Sequence, residues 1–202
     1  TLRNELKTAF ADVLAWQDKM QELEHSIANE KDSEQLAVLM KQYANIVQKF
    51  EMAGGYDYES TIKKIAYGLG FSEEDMDKNV KEFSGGQKTR ICLAKALIRQ
   101  PDFLFLDEPT NHLDIEMVEW LEDYLINYSG GVLLISHDRF FLDKVSNKII
   151  ELENKTVSIY SGNYSRYTKL KAEKMAALQS SYEKQQTYIN KTEEYIRKYK
   201  AG

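Results

Sequence analysis

Apolar residues at Leu2, Leu6, Ala9, Val13, Trp16, Met20, Leu23 and Ile27 alternate by four and three positions, the spacing of a helix that packs along one seam in a coiled coil. Asp32-Ser33-Glu34-Gln35 has the residue types of a helix-opening capping box. Leu36, Met40, Tyr43, Val47 and Phe50 then repeat the alternation. Residues 1–51 therefore predict two antiparallel helices joined by a short polar turn, a helical hairpin. After Gly54-Gly55, residues 59–69 fit a short amphipathic helix stopped at Gly70, and residues 72–81 are acidic and surface-like.

The periodicity then changes. Ile91, Ala94, Leu97 and Ile98 mark the buried side of a helix over residues 84–99, ended by Pro101. Phe103, Leu104, Phe105 and Leu106 run without a polar break into Asp107 and Glu108. That is the pattern of a strand buried in a parallel sheet, with its acidic end at the carboxyl edge where such sheets take ligands. A helix over residues 115–127 buries Val118, Leu121 and Leu125, and residues 131–136 form a second apolar strand. Strands alternating with helices predict an α/β fold, a parallel sheet flanked by helices. Residues 147–152 and 156–161, split by Glu153-Asn154-Lys155, read as a β-hairpin. From Tyr164 the chain is helical, with a sparse seam at Met175, Leu178, Tyr182, Ile189, Ile196 and Tyr199.

A chain of 202 residues with 43% hydrophobic content has ample material for a core. No run approaches the roughly 18 apolar residues of a membrane span, and nothing resembles a signal peptide, so a cytoplasmic location is expected. Cys92 is the single cysteine. It excludes an internal disulfide and a thiolate-rich metal site, and its place in an apolar helical run predicts an ordinary core residue. The net charge of −5 hides an asymmetry: residues 166–202 hold nine Lys or Arg against four Glu, a net of +5, and the remainder is net −10.

Two stretches carry chemistry. Adjacent carboxylates at a strand tip, Asp107 and Glu108, can hold a hard cation and orient a water. Ser84-Gly85-Gly86-Gln87 reads as a capped helix start whose glycines let backbone amides approach an anion. His137 closes the second apolar strand. His25 and His112 have no comparable setting, and no metal-ligand cluster of histidines is visible.

Together, residues 83–87, residues 103–108, Asn111-His112-Leu113-Asp114 and Ile135-Ser136-His137-Asp138-Arg139 resemble, in order and spacing, the signature, Walker B strand, D-loop and switch histidine of the ABC ATPases. The wording from Asp107 to Asp114, and Ser136-His137-Asp138-Arg139-Phe140-Phe141-Leu142 after it, is most similar to the ABC-F subfamily, soluble proteins with two ATPase domains in one chain that work on ribosomes. The resemblance implies an incomplete ABC-type α/β ATPase. Residues 1–55 would be a coiled-coil arm, residues 56–163 the later part of the ATPase domain, and residues 164–202 a basic linker helix. No Gly-x-x-x-x-Gly-Lys-Ser/Thr occurs, and Gly86-Gln87-Lys88-Thr89 has the wrong spacing for it. The resemblance therefore puts the ATP-cradling P-loop upstream of Thr1, and residues 1–202 are expected to be inactive alone.

By the same resemblance, Asp107 would hold Mg²⁺ through water, Glu108 would act as base for the water attacking the γ-phosphate, and His137 would contact that phosphate. Ser84, Gly85, Gly86 and Gln87 would bind the ATP of the opposite ATPase domain, with Asn111 and Asp114 at the closed interface. Partners would be the second ABC domain of the same chain, and the ribosome and tRNA through arm and linker. Periodicity alone leaves the hairpin open between such an arm and an ordinary helical subdomain. The basic helix is open between an RNA contact and a solvated linker. The ATPase subunit of a membrane transporter and a DNA-associated ATPase are the alternative functions.

Overall fold

The four-three alternation at the start of the chain is divided between two tasks. It forms not one helix but two, α1 (Leu2–Lys7) and α2 (Ala11–Asn29), separated by a 3₁₀ turn at Thr8–Phe10. Leu2 and Leu6 are wholly buried on α1, which packs on α4 and α5, whereas α2, with Val13 and Leu23 buried, makes a hairpin with α3 (Ser33–Met52). The uninterrupted helix expected over residues 2–27 gives way because these apolar residues face different neighbours.

The computed structural model describes residues 1–200. By packing they fall into two units, Thr1–His137 and a second from Asp138 onward.

In the first unit, Asp32 opens α3 by accepting hydrogen bonds from Glu34 N at 2.8 Å and Gln35 N at 3.3 Å. Tyr43 donates across the hairpin to Glu24 at 2.7 Å. Met40 is 54% exposed and does not belong to the seam; Leu39, one position earlier, is half-buried in its place. The helix α4 (Tyr58–Gly68) follows, then 3₁₀ turns at Glu74–Asp77 and Val80–Glu82. Met76 within the acidic stretch is fully buried, so that segment is not all surface. Beyond it lie α5 (Gly85–Ile98), β1 (Phe103–Asp107), α6 (Ile115–Ile126) and β2 (Gly131–Ile135).

The short helix α1 is the root of the hairpin. It packs on α4 and α5, and burying two leucines supplies about 2 kcal/mol each. Polar bonds surround that contact: Leu2 N donates to Lys78 O at 2.9 Å, Lys95 to Glu5 at 2.5 Å, Lys7 to Glu59 at 2.7 Å and Arg3 to Glu73 at 2.9 Å. Glu73 also accepts from Tyr67 and pairs with Lys63, and this cluster lowers its carboxyl to about 2.

Strands β1 and β2 pair in parallel, Phe103 opposite Gly131 and Asp107 opposite Ile135. Neither is buried on both faces as an unbroken apolar run predicts. Leu104 and Leu106 are buried, while Phe103 and Phe105 are 70% and 71% exposed and Ile135 is 62% exposed. The two-stranded sheet is covered on one side only among the described residues. Cys92 is likewise exposed rather than in the core. It is one position from the buried Ile91, about 100° round the helix, and so leaves the packed face.

Helix α6 is fastened by aromatic rings. Trp120 stacks on Tyr124 at 5.3 Å; Tyr124 donates to Leu97 O at 2.9 Å and Tyr128 to Pro101 O at 2.6 Å. Burial pushes the Tyr124 phenol up to about 12.

In the second unit, Asp138 caps α7 (Arg139–Val145). Strands β3 (Lys148–Glu153) and β4 (Thr156–Ser161) form the expected antiparallel hairpin, turned by Asn154 and Lys155 at φ +49° and +61°, the left-handed pair such two-residue turns require. Helix α8 (Tyr164–Lys200) starts against this hairpin. Glu151 accepts from Lys171, Tyr167 and Tyr160, and Lys171 reaches Glu153 at 3.2 Å. These contacts hold the Glu151 carboxyl below, and the Lys171 ammonium above, their ordinary ranges. Past Lys171 the apolar residues Met175, Leu178, Tyr182 and Ile196 are exposed.

A β-carbon on Gly68 would lie 2.0 Å from Cε2 of Trp120. Gly68→Ala should therefore destabilise the protein by about 2 kcal/mol through overpacking, seen as a lower thermal midpoint. An unchanged midpoint would mean that Trp120 is not seated on α4.

Candidate functional site

The parallel pairing of β1 with β2 puts residues 107 and 108 beside residues 135–137. Glu108 N donates to Ile135 O at 2.8 Å, which extends the ladder one residue past the strand tip. The Glu108 backbone is left-handed, at φ +48°, a conformation that costs a non-glycine residue about 1 kcal/mol or more and tends to persist at functional sites. It turns the side chain towards the second strand. Glu108 Oε2 accepts from His137 N at 3.3 Å, and Oε1 lies 3.5 Å from His137 Nε2. That Oε1 is buried and has no hydrogen-bond partner among the described residues. The His137 ring is 98% exposed and open to a ligand. Asp107, opposite Ile135, is exposed at the same edge.

Behind the strand tip the chain folds tightly on itself. Asn111 N donates to Glu108 O, and Leu113 N to Thr110 O, both at 3.1 Å. Asp114 Oδ1 accepts from Met117 N at 2.9 Å, so this carboxylate caps α6 and secures the loop. Asn111 is exposed.

At the start of α5 the capping box foreseen from Ser84 and Gln87 is complete: Ser84 N donates to Gln87 Oε1 at 2.8 Å, and Gln87 N to Ser84 Oγ at 3.3 Å. The two glycines differ. A β-carbon on Gly85 would meet nothing within 4 Å, whereas one on Gly86 would lie 3.3 Å from Cβ and Cγ of His112. The first leaves the helix amides open to an anion, as a phosphate needs; the second lets the loop after Glu108 approach.

Residues outside the expected set also shape this region. Arg90 Nη1 donates to Leu69 O at 3.0 Å, its guanidinium lies over the Phe71 ring at 5.3 Å, and its buried Nε has no partner among the described residues. It fastens α5 to the Gly70 turn. An arginine inside an otherwise apolar helix face is the signal that could have singled it out. Cys92, Leu93, Ala96, Phe105 and Leu106 line a cavity of about 230 Å³ that extends to Asp107 and Glu108.

The donors present suit a phosphate with a hard divalent cation: paired carboxylates at the strand tip, an unpartnered buried carboxylate oxygen and an open helix start. Among the described residues no group of three or more His, Cys, Asp or Glu side chains could hold a metal by itself. A cation at Asp107 would thus complete its shell with phosphate oxygens and water.

A family model described as "ABC transporter" matches residues 4–111, and a second of the same description matches residues 150–202. The chain belongs to the ABC transporter family. The putative ATP-binding protein YdiF of Bacillus subtilis is 47% identical over 165 residues, covering 82% of this chain and 26% of that protein. ABC transporter F family member 5 of Arabidopsis thaliana is 38% identical over 203 residues, or 100% and 29%. Probable ATP-binding protein YheS of Escherichia coli K12 is 42% identical over 158 residues, or 78% and 25%. The chain thus spans about a quarter to three tenths of the length of these relatives. Its likeness within the ABC family is to the F members, in keeping with the wording of residues 107–114. No described helix is long and apolar enough to cross a membrane.

Removing the Ser84 hydroxyl breaks one half of the capping box. Ser84→Ala should cost the ABC-F chain about 1 kcal/mol in denaturant unfolding, without altering the slope of the transition. No loss at all would show that the cap does not set the start of α5.

Proposed function

We propose that this chain is the part of an ABC-F ATPase that bears the signature, Walker B strand, D-loop and switch histidine, and that the intact protein couples ATP binding and hydrolysis to its grip on the ribosome and tRNA. The observation that carries this reading is the meeting of Glu108 and His137 at the tips of two adjacent parallel strands, with Asp107 at the same edge. Glu108 orients a water and takes its proton as the water oxygen bonds to the γ-phosphorus; the bond to the bridging oxygen breaks, giving ADP and phosphate. His137, exposed beside Glu108, donates to the γ-phosphate oxygens. Asp107 would hold Mg²⁺ through water, and the bound ion would supply charge neutralisation on the phosphates.

Ser84, Gly85, Gly86 and Gln87 cover the γ-phosphate of an ATP bound by a second ABC domain of the same chain. The open side of Gly85 and the positive end of α5 suit that contact. Asn111 and Asp114 lie at the interface that closes between the domains. Closure accompanies ATP binding, and hydrolysis releases it.

The ribosome enters through the hairpin of α2 and α3 and through α8. The chain is basic over residues 166–202 and acidic elsewhere, and the α8 tyrosines Tyr188, Tyr195 and Tyr199 are exposed. Lysines and arginines neutralise phosphates, and exposed aromatic rings stack on unpaired bases. A cytoplasmic location goes with these partners.

Glu108→Gln in the full-length protein should abolish steady-state ATP turnover and accumulate the ATP-bound closed form, measured by phosphate release and by nucleotide retention on gel filtration. Unchanged turnover would remove Glu108 from the role of base. The full-length protein should also cosediment with ribosomes in a salt-sensitive manner, with binding reduced about tenfold or more when four α8 cations become Glu. Preferential retention on branched DNA in a direct competition would favour a DNA-associated ATPase instead.

A further inference from the structure

The signature turn and the loop after Glu108 belong, in the proposed function, to different nucleotides. One grips the ATP of the opposite domain; the other attacks the ATP of its own. In this chain they touch. A β-carbon on Gly86 would lie 3.3 Å from Cβ and Cγ of His112 and 3.5 Å from its Nδ1, so the His112 side chain, though exposed, packs close beside the turn. Gly85, one residue earlier, has open space on its corresponding side.

His112 is itself held in an uncommon conformation. Its φ is +67°, and Glu108, four residues before it, has φ +48°. Between them Asn111 N bonds to Glu108 O, just after His112 Leu113 N bonds to Thr110 O, and beyond them Asp114 is locked into the cap of α6. A loop with left-handed residues at both ends and hydrogen bonds within it has few ways to yield. Movement at Gly86 reaches Glu108 through one ring and four residues of tight backbone. At the far end Glu108 is bonded through its own backbone to Ile135 and through its carboxylate to His137 N.

We propose that His112 is a positioning residue: its ring transmits the engagement of the signature turn to the carboxylate of Glu108, so that one domain's base is set only when its signature has closed on the other domain's phosphate. This rests on the reading of Glu108 as base. It assigns His112 no contact with nucleotide, and the contact with Gly86 is one of shape.

The test is a mutant cycle in the full-length protein with His112→Ala, Gly86→Ala and the double variant, plus His112→Phe, which keeps a flat ring without nitrogens. His112→Ala should lower kcat about tenfold with KM for ATP within twofold, as small misplacements of a catalytic group do. His112→Phe should restore most of the loss, and the losses in the double variant should not multiply. A readout free of turnover is hydrogen exchange at Glu108–Asn111 without nucleotide, which His112→Ala should accelerate and His112→Phe should not. Wild-type kcat in His112→Ala, or losses that simply multiply, would overturn the inference while leaving Glu108 as base. A wild-type protein without ATP turnover would instead defeat the proposed function, with the exchange result still reporting on the contact.

Discussion

The site depends on one register. Asp107 lies opposite Ile135 across two parallel strands, and the Glu108 amide continues the ladder onto Ile135 O. A slip of one residue would reverse every side chain along β1. Leu104 and Leu106 would leave the core, and Glu108 would no longer lie beside His137. The burial of two leucines therefore fixes the relative placement of two polar groups that are 29 positions apart in sequence. The strained backbone at Glu108 is tolerated because hydrophobic packing of the strand holds it from one side and the 108–114 loop from the other.

A second constraint joins the hairpin to the same core. Its root, α1, is seated on α4 and α5 by Leu2 and Leu6, and Glu5 is bonded to Lys95 on the helix that the signature turn opens. The 3₁₀ turn at Thr8–Phe10 marks where this seating ends and the hairpin proper begins. The base of the hairpin and the start of α5 thus belong to one packed unit, so movement at one would be felt at the other.

Much of this was legible in the sequence because the informative features are local. The capping box of Ser84 and Gln87, the strand that ends in two carboxylates, the hairpin turned at Asn154-Lys155 and the long terminal helix all rest on neighbours a few residues apart. What escaped the pattern depends on distant partners. The alternation from Leu2 to Ile27 does not say that α1 packs on α4 and α5 while α2 packs on α3. Met40 fits a heptad as well as Leu39 does. An apolar run such as residues 103–106 reads as doubly buried whether or not anything lies on its second face, and Cys92 looked like core for the same reason. His112 lying beside Gly86 leaves no trace in spacing, since they are 26 positions apart with a strand between them; only the second glycine of the pair hints that something comes close.

The manner in which α8 is mounted has a geometric consequence. Its first two turns are gripped by Glu151 and Glu153 through Lys171 and by Tyr167, and from there to Lys200, with Met175, Leu178, Tyr182 and Ile196 exposed, the helix extends about 43 Å at ~1.5 Å per residue. A tilt of about 10° at the gripped end would carry the far tip some ~7 Å. A small rotation where the helix meets the β-hairpin is thus magnified into a displacement of several ångströms at its far end.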